Sequence, residues 1–404
     1  MSLKFLVRPA LAAALATATF SAPLALAEAP AAPQAAPMQK QPVPEKPAGD
    51  SQQKTAQPQI EVVFVLDTTG SMSSLLEGAK QKIFSIASRI ATGKPTPRLK
   101  VGLVAYRDVG DEYVTKRFDL SEDLDTVFTH LRQFRADGGG DSPEHVGRGL
   151  GEAVSKMSWS AERGTMKVIF LVGDAPPASR EEAWNFKQWS KRAQERHIVV
   201  NTVRCGGDNE TATAWKYVSK LTDGTFDSID SSGGMLAVAT PYDAELAAVN
   251  KEIAAKTLYT GTAAVQSENK VRADQMAALS AEAAAERISY MKKARGKGGP
   301  GAAAASSAPL AVGGAVDLVE KPEMLATVAE AELPASLQGL NKDEQAVKVK
   351  ALAVDRKALE TKAAKLAADR DTWRQKNVAE TSSSFDDNVM KSVRKQAADY
   401  GVAY

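Results

Sequence analysis

Asp67, Thr69 and Ser71 stand at alternate positions directly after the apolar run Ile60-Glu61-Val62-Val63-Phe64-Val65-Leu66. A β-branched run of this kind is the pattern of a strand covered on both faces. Where such a strand ends and the chain turns, one carboxylate and two hydroxyls can converge on a single point. Oxygen-only donors suit a hard divalent cation, Mg²⁺ first, with Mn²⁺ and Ca²⁺ served by the same donors. The hydroxyls are equally suited to plain helix capping by Thr69, Ser71 or Ser73. Two further strings bear on that choice. Gly173-Asp174 closes a second apolar strand, and Gly138-Gly139-Gly140-Asp141-Ser142-Pro143-Glu144 forms a turn ahead of a helix. Singly, Asp174 reads as a turn aspartate and Asp141 as an N-cap. Three such strings on the strand-end side of one sheet point to a shared site.

The elements that must position these strings follow from periodicity. Strands are expected over 60–66, 99–106, 167–172, 198–204 and 225–229, with a short edge strand over 115–120. A helix follows the first strand, with Leu75, Leu76, Ala79, Ile83 and Ile86 at three- and four-residue steps. Leu124, Val127, Phe128, Leu131 and Phe134 mark a second helix. Pro143 suits the first turn of a third, which carries Val146, Leu150 and Val154. Helices over 180–195 and 211–221 complete the alternation. Strands alternating with helices imply an α/β fold with a doubly wound, mostly parallel sheet. In such sheets ligands bind outside the carboxyl ends of the strands.

The order of these motifs resembles the von Willebrand factor type A family. Asp67-Thr68-Thr69-Gly70-Ser71-Met72, then Gly139-Gly140-Asp141-Ser142-Pro143-Glu144, then Ile169-Phe170-Leu171-Val172-Gly173-Asp174 are similar to the three loops of its metal-ion-dependent adhesion site. The resemblance covers about residues 59–250 and implies a Rossmann-like sheet with one antiparallel edge strand. It implies Asp67, Thr69 and Ser71 as ligands from the first motif and Asp174 from the third. Thr69 replaces the usual serine and keeps the hydroxyl. In the second loop the family's threonine is missing, and Asp141, directly or through water, or Ser142 stands near its place. The resemblance further implies a protein partner that offers Asp or Glu to the ion's open position. Physically, an ion held partly by neutral hydroxyls keeps positive charge, so an acidic group gains from completing its shell.

The rest of the chain narrows the function classes. Net charge is +2, so no global field points to nucleic acid; the one basic run is Lys292, Lys293, Arg295 and Lys297, read as a solvated helix end. A single cysteine, Cys205, excludes an intrachain disulfide, and three scattered histidines do not make a zinc enzyme. Cys205 ends an apolar run and is expected to be a buried thiol. Trp159, Trp184, Trp189 and Trp215 are expected in packing. The letters G-x-G-x-x-G at 296–301 sit in a proline-containing linker, and no serine elbow or histidine-paired nucleophile is present. No enzyme is therefore expected.

Lys4, Arg8, an apolar stretch over 10–20 and Ala25-Leu26-Ala27 form a secretory signal of bacterial type over 1–27. The protein is expected in the periplasm or outside the cell, with no transmembrane span once the signal is removed. A Pro/Ala/Gln-rich linker covers 28–58, the type A domain 59–250, a helical extension 251–295, a Gly/Ala-rich linker 296–314 and an Ala-rich, mainly helical region 315–404. Over 342–376, Leu352, Leu359, Leu366 and Trp373 recur every seven residues. The companion positions Val349, Arg356, Ala363 and Arg370 are poor for a coiled coil, which favours a helix packed on its own chain. The sequence thus supports metal-dependent protein binding for adhesion or assembly. The alternative is an envelope scaffold that binds through its C-terminal helices around a structural metal site. If the signal reading holds, intact-mass measurement of exported protein gives a chain beginning at Glu28; a mass that keeps residues 1–27 refutes it.

Overall fold

The computed structural model describes residues 57–140, 142–179, 181–230, 239–295, 306–377 and 385–404. The expected signal, nearly all of the first linker, and residues 296–305 of the second lie outside the described residues. Six strands form one sheet: β1 (Gln59–Asp67), β2 (Arg98–Tyr106), β3 (Thr115–Ser121), β4 (Thr165–Gly173), β5 (Val199–Cys205) and β6 (Phe226–Ile229). Their spatial order is β3-β2-β1-β4-β5-β6, parallel except for β3, which pairs antiparallel with β2. The chain leaves β1 in one direction to make β2 and β3, then crosses back to make β4, β5 and β6. The order reverses between β1 and β4, so a crevice opens at the carboxyl ends of those two strands. That is where Asp67 and Asp174 fall.

Every residue of β1 is buried, because helices cover both faces. Ile60, Val62, Phe64 and Leu66 face one way, and Val63 and Val65 the other, as the two-residue pleat requires. On the second face lie α3 (Val146–Lys156), α4 (Phe186–Glu195) and α5 (Asn209–Leu221), anchored by Leu150, Trp189 and Trp215. On the first face lie α1 (Ser73–Ile90) and α2 (Leu124–Leu131). The rest of that face is covered from far along the chain, by α10 (Phe385–Ala397). Phe385, Val389, Met390 and Val393 join the core around Phe64 and Phe170. Asn201 on β5 exchanges two hydrogen bonds with Gln396, at 3.2 and 2.8 Å. Lys82 and Arg89 of α1 hold Asp386 and Asp387 at the start of α10.

Around this core are α6 (Asp243–Ala255), α7 (Ala263–Ala277), α8 (Ala281–Arg295) and the long α9 (Lys342–Asn377). Buried arginines fix their packing. Arg287 of α8 makes a two-pronged pair with Asp125 of α2 at 2.7 and 2.6 Å, both residues fully buried. Its remaining nitrogen donates to Asn250 and to the Ser307 carbonyl. Arg370 pairs with Asp243 and Glu286, and Arg356 with Asp317. Such pairs add little net stability but specify one arrangement, since losing either partner strands a buried charge.

Three local expectations change. The third helix starts at Val146; Ser142-Pro143 is a cis peptide in the preceding loop, so Pro143 is not in a first helical turn. The helix expected over 180–195 divides into a 3-10 turn at Glu182–Trp184 and α4, which Asn185 caps. On α9 the poor companion stripe is the one that is buried: Val349, Arg356, Ala363 and Arg370 face inward, while Leu352, Leu359, Leu366 and Trp373 are half-buried. Carboxylates waiting on α6, α8 and the 317 turn make arginine admissible there. The basic run is likewise partly packed, with Lys293 bound to Asp371 at 2.9 Å. Cys205 and Trp215 are buried as expected. No described helix is long and apolar enough to cross a membrane.

Phe385 is 1% exposed against Phe64 and Phe170. Phe385→Ala is expected to cost about 3–5 kcal/mol in equilibrium urea unfolding. An unchanged midpoint would mean that α10 does not cover the sheet.

Candidate metal centre

β1 delivers Asp67 to the crevice as its last residue, and the backbone then turns through Thr68 and Thr69 into a 3-10 turn at Gly70–Met72. Neither that turn nor α1 has a side-chain cap. The capping role open to Thr69, Ser71 and Ser73 is therefore not the one used. Instead the Thr69 hydroxyl and amide both donate to Asp67 Oδ1, at 2.7 and 2.9 Å, and Ser71 Oγ lies 3.2 Å from Thr69 Oγ1. The three oxygens form one cluster with Asp67 and Thr69 buried and Ser71 at the surface.

Asp67 is fully buried, and its second oxygen, Oδ2, has no hydrogen-bond partner. Burial pushes its carboxyl up to about 7, against the Thr69 hydrogen bonds, and the nearby charge of Asp174 adds to the rise. Gly173 permits this closeness. A Cβ there would stand 2.1 Å from Tyr106 Oη and 3.2 Å from Asp67 Oδ2. Tyr106 is not a free donor to the site, because its hydroxyl binds the Val172 carbonyl at 3.1 Å. Asp174, one residue beyond β4, is partly exposed.

The second loop is laced to the first. Gly70 N–H donates to the Gly138 carbonyl, and Asp137 N–H to the Thr68 carbonyl. Gly139 has φ +71°, and a Cβ on it would come within 2.6 Å of Thr69 Cβ and 2.9 Å of Glu144 Oε1. A side chain is thus excluded on both counts. Asp141 lies outside the described residues. Ser142 is exposed and no described contact draws it to the cluster. The loop residue that does reach inward is Glu144, 3% exposed, with Oε2 unpartnered. Burial first, then the charges of Asp67, Asp108, Asp111 and Asp174, push its carboxyl up to about 8. Its backbone ties this loop to the one after Asp174: Glu144 N–H donates to Pro176 O, and Ala178 N–H to Glu144 O.

Asp108 and Asp111 follow β2 at the same sheet edge, and Asp111 accepts from the Gly139 amide at 3.2 Å. Glu144, Asp108 and Asp111 were not among the residues singled out from sequence. The available signal was position: Glu144 closes the same loop string as Asp141, and Asp108 follows the next strand in the crevice. Among the described residues no Lys or Arg pairs with Asp67, Glu144 or Asp174. Arg107, which is close by, is committed to the carbonyls of Thr68 and Arg135. Nor do three His, Cys, Asp or Glu side chains alone form a metal-holding group among the described residues; hydroxyls would have to contribute.

A family model described as von Willebrand factor A domain matches residues 61–240. This part of the chain is a von Willebrand factor A domain. Curated relatives match only in part. An ariadne-like RING finger protein of Acanthamoeba polyphaga mimivirus is 26% identical over 124 residues, 31% of this chain and 12% of that protein. Alpha-protein kinase vwkA of Dictyostelium discoideum is 25% identical over 120 residues, 29% of this chain and 18% of that protein. The aligned A-domain segment thus spans less than a fifth of either relative. Similar solved structures include conserved hypothetical protein BatB from Bacteroides thetaiotaomicron, 17% identical, covering 42% of this chain and 90% of that one, with TM-score 0.33. The von Willebrand factor type A protein from Catenulispora acidiphila is 18% identical, covering 45% and 41%, with TM-score 0.35. The pilus adhesin SpaC from Lactobacillus rhamnosus GG is 11% identical, covering 45% and 29%, with TM-score 0.36.

The A domain's raised carboxyls make a pH prediction. Asp67 and Glu144 hold protons more tightly folded than unfolded, so what they contribute to the stability of the metal-free protein is greatest below the ordinary carboxylate range. That contribution is lost as pH rises through about 7 to 8. Thermal melts in chelator should therefore fall from pH 5 to pH 8.5, and Asp67→Asn should flatten the fall. A melting temperature independent of pH in both proteins would contradict the burial of these acids.

Proposed function

We propose that the A domain is a metal-dependent protein-binding module of an exported protein, working in adhesion or assembly, which grips an acidic group of its partner through a divalent ion. Two buried carboxylate oxygens, Asp67 Oδ2 and Glu144 Oε2, make no well-formed hydrogen bond, and no described cation neutralises them; this observation supports the reading most directly. Beside them stand the hydroxyls of Thr69 and Ser71, neutral oxygens that add ligands without adding charge. The donor set is all oxygen, which fits Mg²⁺ first and Mn²⁺ or Ca²⁺ after it. Asp67, Thr69, Ser71 and Asp174 would hold the ion, and Glu144 takes the second-loop role considered for Asp141 or Ser142.

When bound, such an ion supplies an electrophilic position for a partner's carboxylate. The protein's own residues do the remainder. Thr69 orients Asp67 by its two hydrogen bonds. The glycines at 139 and 173 let backbone and carboxylates approach. The exposed Ser71 and half-exposed Asp174 leave the mouth open to a partner. The chemistry needed is recognition, with no general base or nucleophile in play. The signal read at 1–27 supports a periplasmic or secreted setting.

Calorimetric titration with Mg²⁺ or Mn²⁺ is expected to show one site in the wild type and none in Asp67→Ala. Glu144→Gln is expected to weaken the ion about tenfold or more by removing one charge, while Ser142→Ala leaves it unchanged. In chelator, Asp67→Ala should melt no lower than the wild type, because it removes a buried acid that without the ion must be held protonated. A pull-down from native envelope should lose its partner with chelator. Equal metal affinity in wild type and Asp67→Ala would refute the site, and a partner retained in chelator would turn the reading toward binding through the C-terminal helices.

A further inference from the structure

The outward face of α9 carries two columns of charge, each of which meets its own reversed copy without a like-charge contact. The helix packs on the rest of the chain through Val349, Arg356, Ala363 and Arg370. Diametrically opposite runs an exposed stripe with two interleaved seven-residue series. One is Val347, Val354, Thr361 and Ala368; the other is Ala351, Ala358, Lys365 and Thr372. This three-four alternation is the spacing of a helix-pairing seam. Val347 and Val354 are 69% and 62% exposed, more than any other large apolar side chain described. The remaining seam residues are mostly small, which allows a close approach of helix axes.

Two columns of charge flank the stripe. On one side stand Lys348, Asp355, Lys362 and Asp369, alternating in sign at seven-residue steps. On the other stand Lys350, Lys357, Ala364 and Asp371. In an antiparallel pair each column meets its own copy. One register sets Ala351 opposite the second copy's Ala368 across the seam. In that register Lys348 faces Asp369, Asp355 faces Lys362 and Lys350 faces Asp371, each of opposite sign, while Lys357 faces Ala364 and Lys365 lies over Val354 in the seam. A parallel pair would set the first column against the second, bringing Lys350 to Asp355 and Asp371 to Lys376 but Lys357 to Lys362, and would stack Lys365 on its own copy in the seam, so it carries like-charge contacts that the antiparallel pair lacks. That both columns call for the same antiparallel register is the feature that singles out a second copy of this chain over an unrelated partner.

We propose that α9 is a self-association surface, on which two copies of the protein pair antiparallel through the face centred on Val354, Ala358 and Thr361. The contact runs about 40 Å, from Val347 to Thr372, at ~1.5 Å rise per residue. In a single copy Asp355, Lys362 and Asp371 are already paired, with Lys256 at 3.1 Å, Glu245 at 2.7 Å and Lys293 at 2.9 Å. Those three side chains are 60%, 52% and 35% exposed, and such solvent-screened pairs are weak and exchangeable. The buried arginines on the opposite side of α9 hold it as a rigid platform, so pairing needs no refolding. The surface does not involve the A-domain cluster, and its test needs no metal.

Sedimentation equilibrium of the full mature chain is expected to show a concentration-dependent dimer that weakens with salt. Two single-sign variants test the charge columns: Lys348→Asp with Lys362→Asp, and Asp355→Lys with Asp369→Lys. Each alone should dimerise at least tenfold more weakly, and mixing the two should restore a dimer containing one of each. The substitutions lie on an exposed face, and unchanged melting temperatures will show that both variants fold. Orientation is read by Ala351→Cys with Ala368→Cys, since Cys205 is buried and the two new thiols are too far apart on one helix to join. Oxidation should link residue 351 of one copy to 368 of the other. A wild type that stays monomeric, a dimer indifferent to the charge changes, or links joining 351 to 351 would each overturn the proposal.

Discussion

Asp67 ends a strand with no exposed residue, and its outer oxygen makes no well-formed hydrogen bond. Glu144 reaches toward it from another loop with the same deficit. Holding two acids this close, away from water, is tolerable only if they keep their protons or share a cation. The surrounding structure is arranged around that demand. Thr69 turns its hydroxyl and amide back on Asp67 instead of capping a helix. Gly139 and Gly173 give up side chains so that the loops can close. Arg107, the nearest guanidinium of the β2 loop, is spent on backbone carbonyls and leaves the acids unneutralised.

The position of this cluster is a consequence of sheet topology. Because β1 lies between β2 and β4, the loops leaving β1 and β4 diverge to opposite sides and leave a crevice between them. The loop before α3 closes it from the remaining side, fastened by Gly138 to the first loop and by Glu144 to the third. A crevice of this construction is laced together at its base by backbone hydrogen bonds and open at its rim.

The C-terminal part is built on a different principle. Its helices are rich in alanine and short of large apolar side chains, so apolar burial alone gives them weak positional preference. Buried arginine–carboxylate pairs supply what the apolar surface lacks: Arg287 with Asp125 joins α8 to α2, and Arg370 joins α9 to α6 and α8. Through α10 the same region completes the hydrophobic core of the A domain itself. The outer face of α9 is what remains uncovered.

The sequence by itself determined the alternation of strands and helices, the buried status of β1 and β4, and the three loops that meet at the crevice. These are properties of short runs, in which a two- or three-to-four-residue period declares which face is inside. It also supplied Asp67, Thr69, Ser71 and Asp174 as neighbours, because strand ends in a parallel sheet must share an edge. Three matters were decided only by tertiary structure. Whether Thr69 caps a helix or turns toward Asp67 depends on a single rotamer and on the backbone after β1. That Glu144 rather than Ser142 points inward depends on the crossing of the loop toward Pro176. And the inner face of α9 is the stripe bearing Arg356 and Arg370, against its hydrophobic pattern, because the carboxylates that make those arginines tolerable come from segments tens to more than a hundred residues away. Local periodicity registers how apolar a position is; it holds no record of which distant charge will meet it.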